Sequence, residues 1–457
     1  MSKIEVDAID KQSGSTLTIG GSGTTVQLGS GATQSGFGRS GSVNWQTSIK
    51  TVSFTAASGE GYFCDTATTG AFTLTLPSSP SVGDIVALKD YASNFATANL
   101  TIGRNGSNLN GDTTDSVRKT DNESLTLVYA DATKGWLAVE EGTGFVGETF
   151  MTASGGTETD SGDFKIHTFT GPGTFTVSSL ASCSGNNAVN YLVVAGGGGG
   201  IGNGGGGGGG GARFFASPDI TSYPASPRNA PAGVTVTATS FPITVGGGGT
   251  PGGAGPGNAG NGNPSVFSTI TSTAGAGGQG QSPSNTLQTG GSGAGRKRDA
   301  NTSGGGAGNT PPTTPAQGSN GGGSSTFTYS GGGGGGGFMV AGADGVGGSQ
   351  PAEAGGNGGN GGGFPTSFVG SNGQASSCEQ FFAGGGGGGA IGNGPVVSPN
   401  GQPGLGGGGI GGINDPAYPR SAGNGTANTG GGAGGAGNNT AGGTGGSGIV
   451  IIRYKFK

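Results

Sequence analysis

Residues 191–211 read YLVVAGGGGGIGNGGGGGGGG, and residues 446–457 read GSGIVIIRYKFK. Two apolar strands, 191–195 and 449–454, thus bracket nearly all of the glycine-rich sequence. Pairing them side by side closes that sequence into one domain with its ends together. The glycine blocks between them pose an energetic problem. Ordering Gly costs more backbone entropy than ordering any other residue, and no side chain recovers it by burial. The spacing of the exceptions suggests a solution: Asn357 and Asn360, Ala433, Ala436 and Asn439, Ala441, Thr444 and Ser447, Ala343, Val346 and Ser349, and Ile410 and Ile413 all recur at an interval of three. Three residues per turn is polyproline II geometry, whose amides and carbonyls point outward and must find partners on neighbouring strands. In a bundle of such strands an interior strand tolerates only Gly, as at 331–337 and 384–389, and a surface strand shows one side chain per turn. A flexible tether with chance spacing is the competing reading. The well-formed strands flanking the blocks favour the bundle.

Composition narrows the alternatives. Gly accounts for 116 of 457 residues, so backbone hydrogen bonding rather than a large aliphatic core is expected to hold the chain. Charged residues are only 9% and the net charge is −5, which lacks the self-repulsion of a disordered chain. Collagen is excluded because Gly comes in blocks, without a strict period of three. The longest apolar runs, YLVVA and IVII, fall far short of the ~20 residues that cross a bilayer, so no membrane insertion is expected. MSKIEVDAID has no apolar h-region, so no signal peptide is expected. Cys64, Cys183 and Cys378 are scattered and make neither a disulfide framework nor a zinc spacing. The acidic balance and the lack of a basic tract beyond Arg296, Lys297 and Arg298 argue against a nucleic-acid partner.

The composition breaks near residue 190: 26 of the glycines precede Tyr191 and 90 follow it. The reading is all-β in three parts. Residues 1–43 carry short alternating pieces such as IEVDAID, STLTIGG and TTVQLGSG, which suit an intertwined β segment that winds with copies of itself or docks on a partner, as an attachment segment would. Residues 44–147 read as a β-sandwich of seven short strands separated by turn clusters, with Trp136, Tyr129, Phe63, Phe72 and Leu127 as core candidates. Residues 148–457 form the glycine-rich domain.

Chemistry is sparse. His167, the sole histidine, lies in the alternating stretch KIHTFT and reads as a strand-surface residue. GxGxxG matches carry no information where every third residue is Gly, and no Gly-Lys dipeptide supports a phosphate loop. Asp112, Asp115, Asp121 and Glu123 lack the spacing of a calcium loop and read as a solvated turn. No catalytic residue, metal or cofactor is expected. Between the glycine blocks lie segments rich in aromatics, Pro, Ser and Asn, among them ARFFASPDITSYPASPRNAP, STFTYSG and NDPAYPRSAGN. These suit recognition loops in which rings stack on sugar faces and polar groups hydrogen-bond around them. Phe214, Phe215, Phe381 and Phe382 are expected to pack inward. Arg213, Tyr223, Arg228, Tyr329, Tyr418 and Arg420 are the candidates for exposure and receptor contact.

YLVVAGGGGG paired with GGSGIVIIRY, and preceded by HTFTGPGTFTV, resembles the glycine-rich domain of tailed-bacteriophage tail fibres and fibre-tip adhesins, over residues 164–454. The opening MSKIEVDAIDKQSGSTLTIGG, together with GYFCDTATTGAFTLTLPSSPSVGD, is similar to fibre proteins of marine phages, including those infecting cyanobacteria. The resemblance implies a homotrimeric virion fibre. Its N-terminal segment would bind phage tail or adaptor proteins, and a distal glycine-rich tip would contact a host cell-surface glycan or outer-membrane protein. Such a protein would be assembled in the host cytoplasm. The resemblance fixes no receptor residues. A glycan-cleaving tailspike and a secreted glycine-rich structural or ice-binding protein are the alternative functions.

Overall fold

Alternation of apolar and polar residues over short, turn-bounded runs produces most strands of the N-terminal unit, such as Phe72–Thr75 with its FTLT pattern. The computed structural model describes residues 43–143, 149–254, 257–280, 287–298, 304–325, 330–347, 353–391, 399–414, 419–437 and 440–457. Residues 1–42, Tyr329, Ser349, Tyr418 and Asn439 lie outside the described residues. The fold is all-β, and the chain divides into two compact units, Met1–Gly147 and Glu148–Lys457.

The first unit contains β1 (Asn44–Trp45), β2 (Phe54–Thr55), β3 (Glu60–Cys64), β4 (Phe72–Thr75), β5 (Ile85–Asp90), β6 (Leu100–Gly103), β7 (Ser116–Arg118), β8 (Ser124–Asp131) and β9 (Gly135–Gly142). Two sheets, ordered β1-β3-β5-β8-β9 and β2-β4-β6-β7, enclose one core. Their topology is not that of a hairpin-built sandwich. β1, β3 and β5 pair in parallel in one sheet and β2, β4 and β6 in parallel in the other, so the chain winds between sheets as successive coils. β7 closes one sheet antiparallel, and β8 and β9 close the other.

Trp136, Leu127 and Phe72 are buried in this core, and Tyr129 packs half-buried against it. Phe63 faces the other way: the strand buries Tyr62 and Cys64, and the period of two turns Phe63 outward to stack with Trp45 at 5.0 Å. Of the turn carboxylates, Asp112 and Asp115 are exposed, whereas Glu123 is buried against Arg118.

The second unit holds β10 (Thr152–Ser154), β11 (Thr157–Ser161), β12 (Phe164–Phe169), β13 (Gly173–Ser179), β14 (Ala188–Val194), β15 (Ala212–Phe215), β16 (Val234–Thr235), β17 (Ser240–Thr244), β18 (Ser265–Phe267) and β19 (Ile270–Ser272). It continues with β20 (Gly362–Pro365), β21 (Gln374–Ser376), β22 (Glu379–Phe382), β23 (Ala390–Ile391), β24 (Ile413–Asn414) and the closing strand β25 (Ile449–Lys455). The bracketing strands pair antiparallel, from Asn190↔Arg453 to Val194↔Ile449, inside the order β11-β12-β25-β14-β15.

Both faces of this central pair are buried, which is why IVII and YLVV are continuous apolar runs. Leu192, Val194, Ile449 and Ile451 face one core with Phe214, Phe338, Phe364 and Phe382. Tyr191, Val193, Val450 and Ile452 face a second core with Phe175, Ile243 and Phe267.

The glycine blocks repeat their partners every third residue. In the block 205–211, Gly206 and Gly209 donate their amides to Gly333 and Gly336, Gly207 and Gly210 to Ala433 and Gly430, and Gly208 and Gly211 to Ala276 and Thr273, all at 2.8–3.0 Å. The block 331–337 does the same with segments around 343–346, 386–389 and 293–296. A strand that bonds three neighbours in rotation has the threefold symmetry of polyproline II, and packed copies satisfy each other's backbone.

Gly is required here by space and not by φ. None of the residues 205–211 or 331–337 has a left-handed φ. A methyl group on Gly335 or Gly386, however, would lie 1.9 Å from the Gly207 or Ala433 carbonyl oxygen. Asn357 and Asn360 are exposed at the rim, where their side-chain oxygens accept the amides of Gln402 and Leu405. Ala433 and Ala436 instead are fully buried, since a methyl group on those turns finds room inside.

Candidate functional site

The segments between glycine blocks mostly turn inward. Expected as loops, residues 265–272 form the hairpin β18–β19, and residues 362–382 form the sheet β20-β22-β21 with one short helical turn. Phe214, Phe364, Phe368 and Phe382 are buried together, while Phe215 and Phe381 alternate to half-buried positions.

This packing removes Tyr223 from the exposed set. It is 5% exposed, its ring meets Phe214 and Phe364, and burial pushes its hydroxyl up to about 12. Arg228 is half-buried and structural: it donates to the carbonyls of Phe338 and Ala316 and to Ser319 Oγ, over the Phe338 ring at 5.1 Å. Arg213 is half-buried on β15 with Nη1 3.5 Å from the Thr271 carbonyl, and Arg420 is exposed beside Ile413. The described members of the set are therefore not gathered into one site.

His167 also departs from its surface reading. It is fully buried, with Nδ1 2.7 Å from the Gly155 carbonyl, its ring stacked on Tyr454 and edge-on to Phe175. Burial holds its imidazole below the ordinary value, against the opposing pull of the Gly155 carbonyl and Glu158. Among the described residues no cluster of three His, Cys, Asp or Glu side chains could hold a metal ion.

A recess lies elsewhere, where the apolar face of the central sheet ends. Alternation along IVIIRYK puts Arg453 and Lys455 on the same face as Ile449 and Ile451. Beyond the apolar core, that face opens into a cleft of about 280 Å³ lined by Phe164, Asn190, Phe215, Asp219, Arg453 and Lys455, among others. Arg453 is 3% exposed and its guanidinium carbon sits 3.4 Å from the centre of the Phe164 ring.

Arg453 Nη2 donates to Asp219 Oδ2 at 2.6 Å, while Nε and Nη1 are buried without a partner. Ser217 Oγ donates to Asp219 Oδ1 and itself accepts from Asn190 Nδ2 at 2.8 Å. Burial pushes the Asp219 carboxyl up, but Arg453 and Ser217 outweigh it and hold the group below its usual range. An aromatic wall, a partly unsatisfied guanidinium and amide and hydroxyl groups on one rim can bind a small polar ring carrying an acceptor-rich group.

The glycine-rich domain model matches residues 168–455, more than half of the sequence and nearly all of the second unit. The chain belongs to the glycine-rich domain family. No curated protein matches it. The glycine-rich domain match takes in Asn190, Asp219 and Arg453 as well as the bracketing strands. Sequence reasoning did not single out Arg453, although its signal was present: an arginine in phase with the buried isoleucines of a closing strand.

Proposed function

We propose that the chain is a non-catalytic tail-fibre component of a tailed bacteriophage virion, a homotrimer whose glycine-rich domain adsorbs to a host cell-surface glycan or outer-membrane protein. The observation that carries this reading is the threefold amide lattice. It gives the intervening segments a rigid frame of backbone hydrogen bonds, so an exposed residue beside it, such as Arg420, can vary without disturbing a packed core. The N-terminal segment is proposed to dock on phage tail or adaptor proteins, in keeping with its short alternating pieces. Several weak contacts presented by three copies would add through avidity.

The test is retention of the labelled full-length chain on intact cells of candidate hosts, with the mass in solution measured in parallel. Retention without release of oligosaccharide, at a mass three times the 43.1 kDa of the chain, is the expected result. Released oligosaccharide would replace this reading with the glycan-cleaving spike. Absence of both retention and release would leave the structural or ice-binding role. Arg420→Ala should lower retention at unchanged melting temperature, and Arg228→Ala should lower the melting temperature.

A further inference from the structure

We infer that the cleft at Phe164 and Arg453 binds a singly charged acidic sugar, whose carboxylate takes the Arg453 guanidinium in place of Asp219. Three observations converge on it. The charges lining the cleft are Arg453, Lys455 and Asp219, two cations against one carboxylate, so one negative charge remains to be supplied. Lys455 lines the cleft, its Nζ lies 5.2 Å from the centre of the Phe150 ring outside it, and it has no acidic partner among the described residues. Arg453 is paired through Nη2 alone, leaving Nε and Nη1 buried and unsatisfied. A guanidinium is built for two parallel hydrogen bonds to a carboxylate, and a monodentate contact uses only part of it.

Asp219 is the movable partner. Its side chain is 41% exposed whereas that of Arg453 is 3% exposed, so the aspartate can yield its place while the arginine stays fixed in the sheet. A ligand carboxylate bridging Nη1 and Nη2 would satisfy one nitrogen that Asp219 leaves alone. The rest of the cleft suits a sugar ring over a bare ion. Phe164 and Phe215 offer an apolar wall, and Asn190 and Ser217 offer amide and hydroxyl groups for ring hydroxyls. The volume of about 280 Å³ lies near the lower end of ligand pockets, ~300 Å³, which suits one ring and not a chain. The assignment rests on the adhesive reading only for the biological source of the ligand, a terminal or branching acidic residue of a surface glycan.

The test titrates the full-length chain with sodium glucuronate, glucose and inorganic phosphate, followed by calorimetry and saturation-transfer NMR. Glucuronate should bind about tenfold tighter than glucose, and more weakly as salt is raised. Asp219→Asn, which removes the competing carboxylate, should tighten glucuronate about threefold or more, and Lys455→Gln should weaken it by a similar factor. Both substitutions sit on partly exposed side chains, so they report on binding even if Arg453→Gln, in a central strand, fails to fold.

Equal affinity for glucuronate and glucose, or an Asp219→Asn variant that binds no better than the natural chain, overturns the proposal. Phosphate binding as tightly as glucuronate overturns its sugar component. Glucuronate binding without retention on any cell removes the fibre reading and keeps the cleft. Retention on cells without glucuronate binding does the reverse.

Discussion

At Gly335 the nearest atom to an added methyl group is a backbone oxygen 1.9 Å away, and neither strand can yield without breaking amide bonds to its other neighbours. Gly335→Ala is therefore expected to destabilise by the ~1–3 kcal/mol typical of overpacking, or more. Gly253→Ala, where an added methyl group meets nothing within 4 Å and φ is not left-handed, should change stability by less than ~0.5 kcal/mol. Chemical denaturation of the two variants checks the contrast.

His167 yields a prediction of opposite kind. Burial lowers its folded pKa below the ordinary 6.5, so the unfolded chain takes up the proton first. This contribution is complete above pH 6.5 and is lost as pH falls from 6.5 toward the lowered value, with a slope of at most ~1.4 kcal/mol per pH unit for one proton. A melting-temperature series between pH 7.5 and 5 should show the loss, and His167→Gln should flatten it. Neither His167 nor Tyr223 was legible as buried: a polar residue in an alternating strand gives no sign of a second layer covering its face, and Tyr223 lies in a Pro- and Ser-rich stretch outside any strand, where inward packing leaves no periodic signal. Gly335, in contrast, was legible as interior, since an uninterrupted glycine run has few other uses.

Among the elements, β25 matters most, as it joins β12 to β14 and supplies side chains to two cores. Ile451→Ala should cost about 2–5 kcal/mol, read by denaturant titration of the second unit's transition. The pairing of β25 with β14 was readable from two apolar runs at the ends of the glycine-rich sequence. The parallel coils of the first unit were not, because alternation sets which face of a strand is buried and is silent on the direction of its neighbour. The same limit hid the small sheet β20-β22-β21, whose Gly, Pro and Ser content looks like loop. The cleft was half legible: the phase of IVIIRYK marks Arg453 as core-facing, but Asp219 and Phe164 reach it only through tertiary structure.

Over the whole molecule, the balance of buried surface differs from that of an ordinary domain. The lattice buries amide and carbonyl groups with little hydrocarbon, and exposing polar surface lowers the heat capacity of unfolding whereas exposing apolar surface raises it. A calorimetric ΔCp well below the roughly 5.5–7 kcal/mol/K expected of 457 average residues should result. A value at or above that range would mean a conventional apolar core.

The rotation of hydrogen-bond partners carries one more consequence. A strand that returns to the same neighbour after three positions behaves like text read in triplets. One residue inserted into the block 384–389 turns everything beyond it by a third of a revolution and hands each amide to the wrong neighbour. Three inserted residues restore the phase and only lengthen the strand. In such a lattice, length is free to drift by triplets, and a shift of one or two is a frameshift written in the folded state.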